Sequence, residues 1–270
     1  MRKGRSLTAG AVWALAGGLG VLAALGGCRG SVPATPLQSF LDRFEDLPPV
    51  EQEAALRPLA AGGGQEAAWA HYALGNLFYA AGSDSAAFGD RAAVAAVAHF
   101  DSARACFARA VAADSTFVEA WVNLGSVLDD LSGQRSVRDR AQQQADQHDA
   151  EQAYRRAVAL RPGDEKALCN LGALYVRMRR HPEALAQFQA ALAAHPKSAL
   201  AHYNLAIMFA ETKIYREALR EWRAAAEADP KSDIGRRSRE NLKIVEQMMA
   251  APTPASVTAP AAAGQAKDHP

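Results

Sequence analysis

A pair of motifs recurs four times between residues 66 and 232, and it constrains the fold more than any other feature of the sequence. The first motif is a leucine followed by glycine or alanine. The second is an aromatic residue with alanine four positions before it and three positions after it. Repetition of this kind is typical of solenoids, in which each unit buries its apolar face against its neighbours. The four leucines and their aromatic partners are Leu74 with Phe107, Leu124 with Tyr154, Leu171 with Phe188, and Leu205 with Trp222.

Each unit has the pattern of two helices joined by a turn. A further apolar residue follows each leucine by four positions, which places both on one face of a first helix. We expect the small residue after the leucine to let the first helix approach an alanine of the second, while the leucine and the aromatic residue fill the space beside that contact. Proline ends the second helix in three units, at Pro162, Pro196 and Pro230.

These motifs resemble the tetratricopeptide repeat, a helix-turn-helix unit of about 34 residues. The resemblance implies an all-α fold, a right-handed α-α superhelix with four helix-turn-helix repeats. It also implies that the chain is a scaffold for protein-protein interaction.

The spacing of the motifs places two insertions in the array. Each aromatic residue precedes the next leucine by seventeen positions, and the same interval separates leucine from aromatic residue within the third and fourth repeats. In the first and second repeats that interval grows to thirty-three and thirty positions, so insertions of sixteen and thirteen residues fall at about 82–98 and 132–149. We expect both to extend the second helix of their repeat, the first after a loop that begins at Gly82–Asp84 and Gly89–Asp90. Both insertions should emerge on the same edge of the solenoid.

The ends of the array are expected to be capped. Residues 37–65 carry apolar residues at helical spacing and are predicted to form capping helices or a degenerate repeat. Residues 233–249 are predicted to form an amphipathic capping helix. A flexible linker is expected over 28–36, and the Ala-rich and Pro-rich tail over 250–270 is expected to be disordered.

The N-terminal residues have the pattern of a targeting signal. A basic start precedes an apolar segment that ends in Leu25-Gly26-Gly27-Cys28. This tetrapeptide resembles the lipobox of bacterial lipoproteins, which implies a signal peptide over 1–27 and lipidation of Cys28 by acyl chains such as palmitate. The alternative is an uncleaved membrane anchor over 9–27, although Ala and Gly contribute little transfer free energy.

The lipobox resemblance implies a location in the bacterial cell envelope. The protein would be lipid-anchored, with its repeats in the periplasm or otherwise outside the cytoplasmic membrane. Arg29 stands where an Asp marks inner-membrane retention in enterobacterial lipoproteins, which favours the outer membrane.

The sequence carries few signals for chemistry. A formal charge of +1 spread over mixed acids and bases provides no field that would attract nucleic acid. Metalloprotease, phosphate-loop and nucleophile-elbow motifs are absent from the sequence. Cys106 and Cys169 are too far apart in the array to suggest a zinc site, and we expect both to be buried apolar residues. We therefore predict no enzyme activity, no catalytic residue, no metal, no cofactor and no small-molecule substrate.

The resemblance to the repeat family implies a concave groove lined by the first helices. Asparagine precedes the leucine in three of those helices, and a row of carboxamides can hold an extended peptide backbone. Asparagine is also common at that place in the family for other reasons, so this role stays one of two readings. The candidate binding residues carried over from the family positions are Tyr72, Asn76, Asn123, Asp129, Lys166, Asn170, Arg177, Tyr203 and Asn204.

The sequence therefore favours a membrane-anchored scaffold that docks another protein, or an extended peptide, as an assembly factor of the envelope. The groove combines an aromatic end with an acidic centre, which suggests a ligand of mixed apolar and basic character. The alternative is a structural protein that associates with itself through the two insertions.

Overall fold

The computed structural model describes residues 34–86, 90–134 and 139–250. Within these ranges the chain folds into eleven α-helices and contains no β-strand, so the predicted all-α fold is confirmed. The predicted signal peptide, Cys28, Gly89, and the tail from residue 251 onward lie outside the described residues. No helix in the described ranges has the length and apolar character needed to cross a bilayer.

The helices follow the order that the repeats predict. Two helices precede the array, α1 (Pro36–Asp42) and α2 (Pro49–Ala60). One helix follows the array, α11 (Asp233–Ala250). The four repeats are formed by α3 (Gly64–Ala86) with α4 (Asp90–Ala113), α5 (Val118–Gly133) with α6 (Arg140–Leu160), α7 (Glu165–Arg177) with α8 (His181–Ala194), and α9 (Ala199–Glu211) with α10 (Tyr215–Ala228).

Local signals fix where several helices begin and end. The side chains of Asp139, Asp164 and Ser198 accept hydrogen bonds from backbone N–H groups three residues later, at the starts of α6, α7 and α9. In the last two repeats a residue in the left-handed region stands two positions after the end of the first helix, Arg179 with φ 62° and Lys213 with φ 64°. A left-handed residue closes the helix by redirecting the chain towards the second helix.

The insertions lengthen both helices of a repeat, and not the second helix alone. In the standard third and fourth repeats, the first helix ends six residues after the leucine and the second begins seven residues before the aromatic residue. Helix α3 instead extends twelve residues beyond Leu74, and α4 begins seventeen residues before Phe107. The sixteen inserted residues of the first repeat are thus divided into six on α3 and ten on α4. In the second repeat, three of the thirteen inserted residues extend α5, seven extend α6, and the remaining three fall between the two helices.

The expectation of a loop at Gly82–Asp84 is wrong, because α3 continues as a helix through these residues. Gly82 is buried against the ring of Phe100, and a Cβ built on Gly82 would lie 2.6 Å from Phe100 Cδ1. Gly75 has the same relation to Phe107, seven residues away in each helix. Glycine at residue 82 therefore permits close packing of two long helices and does not form a turn.

The glycine after the leucine faces the aromatic ring of the second helix, and not an alanine as expected. A Cβ on Gly75, Gly125 or Gly172 would lie 2.5 or 2.6 Å from the nearest ring carbon. The rings themselves are almost fully buried, and so are the alanines on either side of them. A flat ring against a bare backbone brings the two helices together without a void, which is why the small residue recurs.

Additional helices cover both ends of the array. Phe40 of α1 and Leu56 of α2 are buried against Leu74 of the first repeat. At the other end, Val245 of α11 packs with Tyr203 and Trp222 of the fourth repeat. The central core runs without interruption through the first three repeats. The two cysteines of the described chain, Cys106 and Cys169, are free and buried, as predicted.

Candidate functional site

The first helices of the repeats form the inner face of the solenoid. Helix α5 contacts α7, α7 contacts α9, and α9 contacts α11. Within the described ranges, successive second helices are not close neighbours in this way. A stack of hairpins that is closer together on one side curves towards that side. The predicted groove residues on the first helices therefore belong to a concave surface.

A row of amides crosses this surface, and we name it the carboxamide ladder. Asn123 Nδ2 donates to Asn76 Oδ1 over 2.8 Å, and Asn170 Nδ2 donates to Ser126 Oγ over 3.2 Å. In each bond, the donor immediately precedes the leucine of its own repeat. The acceptor stands two positions after the leucine of the preceding repeat. The third repeat has Ala173 at that second place. Among the described residues, the half-buried Asn204 side chain accordingly has no hydrogen-bond partner.

Tyr72 closes the carboxamide ladder at its N-terminal end. Its ring is half-buried and lies against Phe117, with the ring centroids 4.9 Å apart. Burial raises the pKa of the Tyr72 hydroxyl, which stays protonated beside Asn76 and Asn123. The packed ring of Tyr72 therefore bounds the inner face at this end, and its protonated hydroxyl lies beside the asparagines.

A second row lies near the C-terminal ends of the first helices, and we name it the charged ladder. Tyr79 Oη donates to Asp130 Oδ2 over 2.5 Å, and the Arg177 guanidinium forms an ion pair with Asp129. Glu211 lies in the electrostatic field of Arg177. Each contact again joins one repeat to the next, so the ladder runs through all four repeats.

Burial controls the protonation of the charged ladder. It raises the pKa of Asp130 to about 6, and it also raises the pKa of Glu211. Burial lowers the pKa of Arg177 to about 10, so that side chain remains charged at neutral pH. Asp129 Oδ1 and Glu211 Oε1 are buried without a hydrogen-bond partner in the described chain. This part of the inner face therefore retains unused acceptors.

Of the nine candidate residues, the structure brings six together on the first three repeats, places Asn204 on the same face of the fourth repeat, and separates two others. Lys166 is exposed on the first turn of α7, and Tyr203 is buried, with only 8% of its surface exposed. Helix α11 covers Tyr203 because the capping helix takes the place of a further first helix. Tyr203 therefore does not line an open groove. The six candidates that share the inner face of the first three repeats are Tyr72, Asn76, Asn123, Asp129, Asn170 and Arg177.

Ser126, Tyr79, Asp130 and Glu211 take part in the ladders although they were not among the candidate binding residues. Each occupies a repeat position equivalent to that of a candidate, so the family resemblance also places these four residues along the groove. In the described part of the chain, no group of three or more His, Cys, Asp or Glu side chains is arranged to hold a metal ion.

Comparison with known proteins identifies the repeat. A family model described as the tetratricopeptide repeat matches residues 169–233, which span most of the two repeats of standard length. The crystal structure of TTC0263, a thermophilic TPR protein of Thermus thermophilus, superposes on the chain with a TM-score of 0.57. That alignment covers 77% of this chain and 97% of that one, at 19% identity. Residues 169–233 are therefore tetratricopeptide repeats, and the chain has the fold of a tetratricopeptide repeat solenoid.

Two further tetratricopeptide repeat structures resemble the chain less well in shape. YrrB, described as a TPR protein with an unusual peptide-binding site, is 21% identical over 77% of this chain and 92% of its own, with a TM-score of 0.48. MamA is 20% identical over 58% of this chain and 79% of its own, with a TM-score of 0.40. No curated protein matches the sequence. Tetratricopeptide arrays present concave binding surfaces, so this fold is that of a protein-protein interaction scaffold.

Proposed function

We propose that this tetratricopeptide repeat protein binds an extended segment of a partner protein on its inner face, as a lipid-anchored assembly factor of the bacterial cell envelope. The observation that carries the proposal is the carboxamide ladder, which ends at an asparagine with unused hydrogen-bonding capacity. Asn204 is half-buried on the inner face and has no partner among the described side chains.

The surroundings of Asn204 suit an extended peptide. Ala173 and Ile207 are half-buried on the same face and provide an apolar floor. A carboxamide can donate to a backbone carbonyl and accept from a backbone N–H of the same peptide. Such contacts hold a main chain without reading its side chains, as in other modes of peptide recognition.

The charged ladder suits a basic residue in that peptide. The charged ladder contains three carboxylates, those of Asp129, Asp130 and Glu211, and two of their oxygens lack a hydrogen-bond partner within the described chain. A lysine or arginine of the partner could donate to these buried oxygens, which would remove the cost of leaving them unsatisfied. The preferred segment therefore combines apolar residues with at least one basic residue.

Crosslinking and purification of the full chain from membranes tests this function. A reproducible partner should be recovered, and Asn204→Ala should reduce its recovery by about fivefold, the equivalent of one hydrogen bond. Arg216→Ala is the matched control, because Arg216 is exposed on α10, a second helix. Equal recovery with Asn204→Ala and with the unmodified chain would contradict binding on the inner face.

Membrane anchoring is a separate part of the proposal. It is supported by the basic start, the apolar segment and the Leu25-Gly26-Gly27-Cys28 tetrapeptide of the sequence. We expect Cys28→Ser to release the protein from membranes upon fractionation, since a matured lipoprotein cysteine carries more than one acyl chain. Unchanged fractionation would favour the uncleaved anchor. With Arg29 in place, the lipidated protein should fractionate with the outer membrane.

Self-association through the insertions remains the second candidate function. The observation that favours it is Val94, which lies on the extended part of α4 and exposes 67% of its surface. Analytical ultracentrifugation distinguishes the two functions. A concentration-dependent dimer that Val94→Ser converts to a monomer would support self-association, whereas a monomer at all concentrations would exclude it.

A further inference from the structure

A cavity of about 200 Å³ lies between α2 and the first repeat, among residues that belong to neither ladder. Leu74 and Phe78 of α3 and Ala60 of α2 provide its apolar lining. An engineered protein cavity of about 150 Å³ holds a benzene molecule. The cavity therefore has room for a small organic molecule of about the size of an aromatic ring with one substituent.

Comparison with the fourth repeat shows that this site lacks a carboxylate beside its histidine. His71 and His202 both stand three residues before the leucine of their repeat, and Cys106 and Glu221 both stand immediately before the aromatic residue. In the fourth repeat, Glu221 Oε2 lies 2.8 Å from His202 Nδ1. In the first repeat, a cysteine takes the place of that carboxylate. His71 Nδ1 is buried there with no hydrogen-bond partner in the described part of the chain.

One cation at the cavity, Arg109, is exposed to solvent and has no ion-pair partner among the described residues. The Arg57 guanidinium on α2 is paired with Glu53 of the same helix. Arg109 of α4 also lines the cavity and forms no ion pair with any described residue. Burial raises the pKa of the Cys106 thiol, which therefore adds no negative charge. A single anionic group would balance the site.

The imidazole of His71 can respond to such an anion. Its pKa is lowered by burial and then by the charge of Arg109, and the nearby backbone of Ala60 opposes this shift in part. It is therefore neutral at neutral pH without a ligand. An anion beside Nδ1 would favour the protonated ring, in which both nitrogens donate.

We propose that this cavity binds a small monocarboxylic acid with a compact apolar tail. The carboxylate lies beside Arg109 and accepts a hydrogen bond from His71 Nδ1, in the place that Glu221 occupies relative to His202 in the fourth repeat. The tail packs on Leu74 and Phe78. Binding is coupled to the uptake of one proton by His71 and is stronger at pH values below neutrality.

Benzoate is a suitable probe, and benzamide is its neutral counterpart of the same shape. We expect calorimetry with the full chain in a non-ionic detergent to give a dissociation constant for benzoate of about 1 mM or lower, as befits a ligand of this size. Benzamide should bind at least about tenfold more weakly, because it cannot compensate the charge of Arg109. Proton NMR should show that benzoate raises the pKa of His71, whose resonance is assigned from His71→Gln.

Variants of α4 separate the site from general charge effects. Arg109→Gln should weaken benzoate binding by about tenfold, whereas Arg104→Gln, the same charge change elsewhere on α4, should leave it unchanged. Cys106→Glu supplies the carboxylate that the fourth repeat has. It should raise the pKa of His71 without ligand and abolish benzoate binding, while circular dichroism confirms that the variant is folded.

Three results would overturn the proposal. The first is equal binding of benzoate and benzamide. The second is no binding of benzoate to the folded chain at concentrations up to about 10 mM, tenfold above the expected constant. The third is a His71 pKa that benzoate saturation leaves unchanged. A folded Cys106→Glu variant with an unaltered His71 pKa would also refute the geometry, without reference to any ligand. Loss of partner recovery with Asn204→Ala would have no bearing on this site.

Discussion

Replacement of Gly125 by alanine tests the contact that sets the distance between the two helices of a repeat. A Cβ at residue 125 would lie 2.6 Å from Cδ1 and Cε1 of Tyr154 and 2.9 Å from its Cζ. The Tyr154 ring is 1% exposed, and its hydroxyl donates to Ser126 Oγ over 3.1 Å. The ring therefore cannot turn away without losing a buried hydrogen bond, and the helices have to separate.

Two opposing terms determine the size of the effect. Alanine is favoured over glycine inside a helix by about 1 kcal/mol. Overpacking of a filled core costs about 1 to 3 kcal/mol, and three ring carbons closer than van der Waals contact place this substitution near the upper end. We therefore expect Gly125→Ala to lower the free energy of unfolding by about 2 kcal/mol, the difference between these terms. For a domain of this size that corresponds to a decrease in Tm of about 4 to 8 °C.

The same helix provides a matched control. Gly133 is the last residue of α5, and a Cβ there would meet no atom within 4 Å. Gly133→Ala should therefore be neutral or raise the free energy of unfolding by up to about 1 kcal/mol. Thermal and urea denaturation followed by circular dichroism measure both variants. If Gly125→Ala stabilised the protein as much as Gly133→Ala, the assignment of this glycine to the ring contact would be refuted.

Three further substitutions test other parts of the structure. Glu151 is 7% exposed and accepts from Tyr175 Oη over 3.0 Å, so Glu151→Gln should lower the free energy of unfolding by about 1 to 3 kcal/mol. Glu183, which is only half-buried and pairs with Arg180, provides the control, and Glu183→Gln should leave the Tm nearly unchanged. Equal Tm values for the two variants would contradict this. Burial raises the pKa of Asp130 from 3.8 to about 6, so the contribution of this group to stability should decrease as pH rises across that interval. Asp130→Asn should remove this part of the pH dependence of the free energy of unfolding, measured by urea denaturation. Superimposable pH profiles of the variant and the unmodified chain would argue against it. Lys213 has a φ of 64°, a conformation that is strained for a residue with a side chain and free of strain for glycine. Lys213→Gly should therefore raise the free energy of unfolding by about 1 kcal/mol. A lower Tm would show that no strain is relieved.

The sequence determined the fold class and the number of repeats. Leucine, small residue and aromatic residue are constrained by contacts inside one helical hairpin, and the interval from each aromatic residue to the next leucine is constant along the array. The positions of the insertions followed from the same spacing. Their division between two helices did not, because Gly82 has the local character of a turn residue. Only the ring of Phe100 on the facing helix makes a helical glycine favourable there.

The tertiary structure decided which groups on the inner face remain available for binding. Asn76 and Asn123 are 47 residues apart, and their hydrogen bond depends on the register between adjacent repeats, which no local pattern records. The burial of Tyr203 similarly depends on where α11 docks. The sequence placed these side chains on the correct faces of helices, since helical periodicity is local. The packing of one repeat on the next determines which of these side chains form hydrogen bonds with one another. It also determines which of them keep donors and acceptors for a partner.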